Sequence, residues 1–263
     1  MDTEFYKYHG AGNDFVLIDN RNLIFPADNI SRIEWLCSRR FGIGADGLML
    51  LQNSEGFDFE MRYFNSDGRE ASMCGNGGRC IVAFARQLGI IKNETCFLAV
   101  DGPHRAAVEE NGDINLQMSD VNRIEIIGDN YFLDTGSPHF VCFLDNLDNL
   151  NVYTEGRAIR YNSRFKETGT NVNFVKQEGE HLTVYTYERG VEDETLACGT
   201  GITASVLSAA LKTGVEKGYF AVTAKGGNLG VSFEKDGGGF KNIWLRGPVR
   251  FVFRGLLPAK PVN

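Results

Sequence analysis

The sequence repeats a set of landmarks once, at an almost constant spacing. The run FVLIDN begins at Phe15, and the similar run FVCFLDN begins at Phe140, an offset of 125 residues. The motif CGNG begins at Cys74 and CGTG begins at Cys198, an offset of 124 residues. Two units of this length indicate a duplicated domain rather than a solenoid, because solenoids are built from more and shorter repeats.

Each half presents the same order of elements around its cysteine. Aromatic-rich segments at residues 59–64 and 182–187 have the composition of strands and lead into a Gly-rich turn. The spacing then predicts helices over about residues 78–88 and 202–212, which are apolar nearly all round and therefore centrally buried. Gly89 and Gly214 follow as the expected helix stops.

The rest of the chain consists of short β-branched or aromatic segments broken by Gly, Asn and Asp. The predicted fold class is α/β (α+β), with two pseudo-symmetric halves, each a curved, mixed but mainly antiparallel sheet wrapped around a central helix. The first half is expected to span residues 1–120 and the second residues 121–250. The last stretch, residues 251–263, contains a strand that can return to either half. If it returns to the first half, it completes that sheet.

The charge pattern argues against a polyanionic or membrane partner. The net charge is −7, and Arg39-Arg40, interpreted as a solvated surface pair, is the only basic pair. The first residues lack the basic and apolar regions of a signal peptide, and no apolar run approaches the ~18 residues of a membrane span. We therefore expect a cytoplasmic protein that binds a small molecule, with no nucleic acid and no membrane partner.

The six cysteines fall into two groups. No pair has C-x-x-C spacing, so a zinc or thioredoxin-like site is not indicated. Apolar neighbours surround four of the cysteines, which we interpret as small buried hydrophobes: Cys37, Cys80, Cys96 and Cys142. Cys74 and Cys198 differ, because a glycine follows each of them.

A cysteine at the start of a helix is well placed to ionise. The positive end of the helix dipole and the N–H groups left uncovered by glycine favour the thiolate and can also bind a carboxylate. Two such thiols in equivalent positions suggest a cleft with a base on one face and an acid on the other. This is the chemistry that inverts a stereocentre, provided that the site also stabilises the carbanion.

Six segments of the chain resemble diaminopimelate epimerases, a family of cofactor-independent enzymes of lysine and peptidoglycan-precursor synthesis. They come in the family's order and are HGAGNDF from residue 9, FNSDG from 64, MCGNGGRC from 73, TNVNF from 170, YERG from 187 and ACGTG from 197. The resemblance implies two pseudo-symmetric α/β halves with the active site between them, a homodimer, and no metal or other cofactor.

The resemblance also implies residue roles. Cys74 and Cys198 correspond to the two acid/base residues, and His139 and Glu188 to the residues that support them. The substrate-gripping side chains correspond to Asn13, Asn65, Asn171 and Arg189. The amides that cradle the substrate carboxylate correspond to Gly75, Asn76, Gly199 and Thr200.

The sequence departs from the family's pattern in three places. Ser137 stands where many members have Asn, Gly47 stands where some have Gln, and the loop at residues 190–195 is one residue longer than usual. These departures bear on the substrate, so a racemase of histidine or of a proline derivative stays open.

Two other classes of function also stay open. A diverged isomerase or binding protein that lost two-base catalysis should lack one of the two thiols, whereas this chain has both. A redox protein would need a resolving cysteine, and Cys80, about two helical turns beyond Cys74, is badly placed to serve.

Overall fold

The computed structural model describes residues 2–258 and separates the chain into two compact units. Unit 1 comprises Met1–Leu116 and Pro248–Asn263, and unit 2 comprises Gln117–Gly247. The boundaries expected at residues 120 and 250 stay a prediction. Residues 259–263 of the predicted terminal stretch lie outside the described residues.

The strands and helices follow one another along the chain as β1 (Thr3–Gly10), β2 (Asn13–Asp19), α1 (Ile30–Cys37), β3 (Gly47–Gln52), β4 (Glu60–Asn65), β5 (Glu70–Ala71), α2 (Gly75–Gln87), β6 (Glu94–Ala99), β7 (Gly102–Val108), β8 (Ile114–Gln117), β9 (Glu125–Ile127), β10 (Asn130–Asp134), β11 (Pro138–Phe143), α3 (Val152–Arg160), β12 (Asn171–Glu178), β13 (His181–Glu188), β14 (Asp193–Thr195), α4 (Gly199–Thr213), β15 (Lys217–Ala224), β16 (Gly227–Asp236), β17 (Gly239–Gly247) and β18 (Arg250–Leu257).

The strands of unit 1 pair in the order β18-β1-β2-β3-β4-β6-β7-β8, and the short β5 also pairs with β4. The pairs β2–β3 and β4–β6 are parallel, and the others are antiparallel. The last strand of the chain, β18, therefore lies beside the first, with Thr3 opposite Leu257.

Unit 2 has the same topology, with the strands in the order β9-β10-β11-β12-β13-β15-β16-β17 and the short β14 on β13. Its parallel pairs are β11–β12 and β13–β15, which correspond to those of unit 1. The two orders match strand for strand, with β18 in the place that β9 takes in unit 2. The predicted duplication and the mixed, mainly antiparallel sheets are confirmed.

A buried helix forms the centre of each unit, as predicted. Helix α2 packs against β1, β2, β3 and β7, and α4 packs against strands from both ends of the unit 2 sheet. Both helices begin three residues earlier than the sequence suggested, at Gly75 and Gly199. In each unit the cysteine is the N-cap, so the helix begins at the glycine that follows it. The Gly-rich segment that the sequence predicts to be a turn before the helix is therefore the first turn of the helix itself. The expected stops at Gly89 and Gly214 are confirmed, with φ of 73° and 72°.

A second helix packs on each sheet. Helix α1 joins a core cluster with Val16 and Ile18 of β2, and α3 packs on β12 and β13. The side chains of Asn29 and Asn151 cap these helices by accepting bonds from the backbone N–H groups of Arg32 and Thr154. Every residue of β3 is buried, and both α1 and α2 contact this strand, which accounts for the apolar run from Leu48 to Leu51.

Candidate active site

Cys74 is the N-cap of α2, in extended conformation with φ −103° and ψ 150°. Its Sγ accepts a hydrogen bond of 3.2 Å from the backbone N–H of Gly77. A Cβ at residue 77 would lie only 3.1 Å from that sulfur, so glycine lets the helix backbone approach the thiol. The sulfur of Cys74 therefore lies at the positive end of the α2 dipole, where a thiolate is stabilised.

A buried arginine fixes the first turn of α2. Arg79 is fully buried, and its guanidinium donates to the Gly75 carbonyl at 3.1 Å and to Asn76 Oδ1 at 2.8 Å. Burial lowers the pKa of Arg79. The position of a Cβ at Gly10 is 3.0 Å from the Asn76 carbonyl oxygen, so the end of β1 packs directly on the start of α2. Arg79 was not predicted as a site residue.

Asn13 begins β2, and its amide Nδ2 donates to Asp46 Oδ2. Asp46 in turn accepts from Arg39 Nη2 at 2.6 Å. The Asn13 amide is thereby oriented with its nitrogen toward Asp46, which leaves its oxygen to accept from another group. Asp46 carried no signal in the sequence beyond its place before Gly47.

Arg39 and Arg40 are exposed, as the sequence interpretation expects, but Arg39 also takes part in ion pairs. Its guanidinium pairs with Asp14 at 2.8 Å as well as with Asp46. Lys7, which is buried, also pairs with Asp14 at 2.6 Å. Burial alone would raise the pKa of Asp14, but the hydrogen bonds from Arg39 and Lys7 outweigh it and hold the pKa at about 2.

Asn65 ends β4 and is exposed. Its backbone forms a tight turn, donating to the Arg69 carbonyl and accepting from Gly68 N–H, each at 2.9 Å. Gly47 of β3 lies opposite Asn65, and also beside Phe15 near the start of β2. Asn13 and Asn65 therefore lie at the same end of the unit 1 sheet.

Cys198 is the N-cap of α4 and is 9% exposed. Its Sγ lies 3.3 Å from the Thr200 hydroxyl, which lies 2.9 Å from Nε2 of His139. The Thr200 carbonyl accepts a 2.8 Å bond from the Thr135 hydroxyl, which anchors the first turn of α4.

His139 of β11 is fully buried and hydrogen-bonded at both ring nitrogens. Its Nδ1 lies 3.0 Å from Asn173 Oδ1, while Nε2 faces Thr200. Burial lowers the pKa of His139 to about 4; the bond to Asn173 opposes that shift and the charge of Arg189 adds to it. The imidazole is therefore neutral at neutral pH. The sequence signal for Asn173 was its i, i+2 spacing from Asn171, which places both side chains on one face of β12.

Asn171 connects His139 to the end of β13. Its Nδ2 donates to Ser137 Oγ at 2.9 Å, and its Oδ1 accepts from the backbone N–H of Arg189 at 2.8 Å. The Arg189 side chain donates to the Thr168 carbonyl at 3.0 Å. Glu188, the residue before Arg189, is half-buried at the last position of β13.

The loop at residues 190–195 is held in place by the carboxylate of Glu192, which belongs to the loop. Glu192 adopts a left-handed φ of 58°. Its side chain accepts from the hydroxyls of Tyr161 and Tyr187, at 2.9 and 3.0 Å, and from Gly190 N–H at 3.1 Å. The Glu192 carboxylate therefore holds the turn that follows Arg189.

The other four cysteines lie away from helix starts. Burial raises the pKa of Cys37 and Cys142 to about 12, and it also raises the pKa of Cys80. These three fit the prediction of small buried hydrophobes. For Cys96, which is half-buried on β6, the prediction is wrong, because that strand position leaves its side chain partly open.

Comparison with known proteins identifies the family. The family model described as diaminopimelate epimerase matches residues 5–124 and 131–252. The chain belongs to the diaminopimelate epimerase family. A diaminopimelate epimerase of Flavobacterium psychrophilum is 52% identical over 94% of this chain and 97% of its own length. That of Aquifex aeolicus is 41% identical over 97% of each chain. The protein is thus an isomerase of the epimerase type.

Solved structures share the diaminopimelate epimerase fold at low sequence identity. A phenazine biosynthesis protein of the PhzF family from Bacillus anthracis matches with a TM-score of 0.75 at 15% identity, over 98% of this chain and 99% of its own. A hydroxyproline epimerase from Agrobacterium vitis, with bound trans-4-hydroxy-L-proline, matches with a TM-score of 0.66 at 14% identity, over 99% and 94%. These likenesses concern the fold. None of the helices within residues 2–258 has the length and apolar character of a membrane span.

Proposed function

We propose that the protein interconverts LL- and meso-diaminopimelate by proton transfer between the α-carbon and the thiols of Cys74 and Cys198. The observation that carries this proposal is the equivalence of the two thiols. Each is the N-cap of the central helix of its unit, and each is followed by a Gly-containing first turn. Membership of the diaminopimelate epimerase family supports the choice of substrate.

The proposed step moves one proton off the α-carbon and another onto it. The thiolate of one cysteine removes the α-proton and becomes a thiol, while the thiol of the other delivers a proton to the opposite face and becomes a thiolate. The two cysteines thereby exchange protonation states, and proton exchange with water restores the starting state before the next turnover in the same direction. No redox change occurs, and the proposal requires neither a metal nor pyridoxal phosphate.

Negative charge that spreads into the carboxylate during this step needs donors. The backbone N–H groups of Gly75 and Asn76, and of Gly199 and Thr200, belong to the first turns of α2 and α4, whose dipoles favour an anion. We propose that these groups form the carboxylate cradle.

The grip on the rest of the substrate is assigned to four side chains. Asn amides can both donate and accept, as an amino-acid head group requires, and the Arg guanidinium suits a carboxylate. We propose that Asn13, Asn65, Asn171 and Arg189 bind the two amino-acid ends, and that His139 and Glu188 support the thiols. The orientation of Asn13 by Asp46, and of Asn171 by Ser137, is consistent with these roles.

The deciding experiment is proton NMR of LL-diaminopimelate in heavy water with the purified, reduced protein. We expect loss of the α-proton signal together with formation of the meso isomer. Proline and histidine, incubated in the same way, test the other racemases that the sequence leaves open. Exchange of either of these amino acids without exchange of diaminopimelate would overturn the proposed substrate, and no exchange of any would overturn the proposed chemistry.

Single cysteine substitutions test the pairing of the thiols. We expect Cys74→Ala and Cys198→Ala each to lower kcat by at least about 10²–10⁴-fold, the range supplied by general acid–base groups. Cys37→Ala is the matched control, because Cys37 is buried in the α1 core cluster. An equal loss in all three variants, per folded protein, would contradict the assignment.

We also propose a cytoplasmic homodimer that acts in lysine and peptidoglycan-precursor synthesis. Six reduced thiols suit a reducing compartment. Strand β18 exposes Phe251, Val252, Phe253 and Leu256, and within residues 2–258 only β1 pairs with it, so a second chain has apolar surface and a strand edge to cover. Light scattering should give twice the mass of one chain, and the mass of a single chain would reject the dimer.

A further inference from the structure

A continuous line of polar side chains runs within unit 2 from Cys198 to Asn173. Cys198 Sγ is 3.3 Å from the Thr200 hydroxyl, which is 2.9 Å from His139 Nε2. His139 Nδ1 is 3.0 Å from Asn173 Oδ1. His139 and Asn173 are both fully buried, so water does not compete for these bonds. Neither Asn173 nor the Thr200 hydroxyl has a part in the function proposed above.

The surroundings of His139 select one tautomer of its neutral ring. Nδ1 lies 3.0 Å from the amide oxygen of Asn173 and 3.5 Å from its amide nitrogen. The nearer oxygen can only accept, so Nδ1 carries the proton. Three donors surround Nε2: the hydroxyls of Thr200 and Ser137, at 2.9 and 3.2 Å, and the Asn171 amide at 3.4 Å. Nε2 is therefore the unprotonated nitrogen and accepts.

This tautomer determines how the Thr200 hydroxyl can serve Cys198. The hydroxyl has one proton and two lone pairs. When its proton points to His139 Nε2, a lone pair is left to accept from the Cys198 S–H. When Cys198 is a thiolate, the same hydroxyl can rotate and donate its proton to the sulfur instead. One side chain can thus satisfy both protonation states of the thiol.

Ser137 lowers the free-energy cost of this rotation. Its hydroxyl accepts from the Asn171 amide at 2.9 Å, which leaves its own proton for His139 Nε2. When Thr200 turns away, Nε2 still has a donor and no buried acceptor is left unsatisfied. Ser137 is one of the departures of this chain from the family's sequence pattern, and it lies within 3.5 Å of the Thr200 hydroxyl.

We propose that Thr200 is a positioning residue whose hydroxyl alternates between accepting from the Cys198 thiol and donating to its thiolate, and that Asn173 makes this possible by holding His139 as the Nδ1–H tautomer. No proton passes through the line of side chains; only hydrogen bonds reorient. The part that concerns Cys198 rests on the proposed function, whereas the tautomer of His139 does not.

The tautomer is tested by ¹⁵N NMR of the full-length protein labelled at its four histidines, with His139 assigned by loss of its signals in His139→Gln. We expect the nitrogen shifts of an Nδ1–H ring in the wild type and in Asn173→Asp, which keeps an acceptor. Asn173→Leu should move the ring toward Nε2–H. An Nε2–H ring in the wild type would overturn the proposal, whatever happens in the variants.

The role of the hydroxyl is tested by steady-state kinetics with LL-diaminopimelate. Thr200→Val should lower kcat by about tenfold to a hundredfold, as expected for loss of a hydrogen bond to a charged group, with KM changed little. Thr200→Ser should restore most of kcat. Thr203→Val is the matched control, because the Thr203 hydroxyl bonds the Gly199 carbonyl of its own helix, at 3.0 Å.

The kinetic outcomes separate the two proposals. Equal effects of Thr200→Val and Thr203→Val, or failure of Thr200→Ser to recover kcat, would overturn the role of the hydroxyl. Absence of turnover in the wild type would refute the proposed function, while the ¹⁵N measurement would still decide the tautomer.

Discussion

At the scale of single residues, Gly47 shows how one position shapes the unit 1 site. A Cβ there would lie 2.5 Å from both the Phe64 carbonyl oxygen and the Tyr63 ring. The Tyr63 side chain, which also stacks edge-to-face with Phe15, therefore occupies the space into which a longer side chain at position 47 would extend. The glycine at this family position is thus coupled to a tyrosine on the neighbouring strand.

We predict that Gly47→Ala destabilises the protein by about 1–3 kcal/mol, the usual cost of overpacking a core. Urea unfolding measures this free energy. The control is Gly218→Ala on β15, where the added Cβ meets only Val215 at an ordinary 3.5 Å. A Gly47→Ala variant as stable as the Gly218→Ala variant would show that Tyr63 moves aside freely.

The buried His139 predicts a dependence of stability on pH. Its pKa is about 4 in the folded protein and 6.5 in the unfolded chain, because burial disfavours the imidazolium. Below pH 6.5 the unfolded chain binds a proton that the folded protein does not, so stability present above pH 6.5 is lost as pH falls toward 4. The loss approaches about 3 kcal/mol at the lower end.

Urea unfolding at pH 7.5 and pH 5 should reveal that loss, and His139→Gln should reduce the difference between the two pH values. His181→Gln, at the exposed first residue of β13, is the control. An unchanged pH difference in His139→Gln would mean that other groups carry the effect.

Sequence motifs reached the proposed site residues but not Asp46 and Asn173, which hold the side chains of Asn13 and His139. Cys74, Cys198 and their glycines stand in recognisable motifs. Asp46 and Asn173 act through the direction of a side chain, which depends on strand register, and register follows from pairing between distant segments. That information is spread over the chain, and the i, i+2 spacing of Asn171 and Asn173 is only a partial local sign of it.

At the scale of elements, the two central helices end as the sequence indicates and begin earlier than it indicates. Gly-Asn-Gly-Gly and Gly-Thr-Gly are poor helix formers, so propensity favours a turn. Tertiary contacts override it: at Gly201 a Cβ would lie 2.5 Å from the Asn173 amide, so only glycine lets α4 pack there. Helix propensity alone does not contain these contacts.

The end of α4 gives a prediction free of packing effects. Gly214 has φ 72°, and a Cβ there would meet nothing within 4 Å. We expect Gly214→Ala to cost about 1 kcal/mol through backbone strain alone, and Gly214→Asn to cost less, because Asn tolerates the left-handed region better. Thermal unfolding of the two variants would test this order, and equal melting temperatures would contradict it.

At the scale of the whole molecule, a substitution in β18 tests whether unit 1 can loosen while unit 2 stays folded. Gly255 of β18 packs on Phe5 of β1, and a Cβ at residue 255 would lie 2.7 Å from that ring. We predict that Gly255→Val increases amide hydrogen exchange in β1 and β2 while leaving β10 and β11 of unit 2 protected. Uniform exchange across both units would mean that they unfold as one.

The duplication was visible in the sequence because its landmarks recur at one spacing, and this predicted most of the topology. It left the last strand without a fixed partner, since nothing in residues 251–257 distinguishes the two units. The pairing of Tyr6 with Arg254, and of its neighbours along β1, places that strand in unit 1.

The position of β18 has a consequence for synthesis on the ribosome. Unit 2 has all of its strands once residue 247 has been made, although its chain begins later. Unit 1 is synthesised first, but its strand β1 cannot pair with β18 until residues 250–257 have been made. The half that is translated first is therefore the half that is completed last, and for most of translation the β1 edge stays open to other chains.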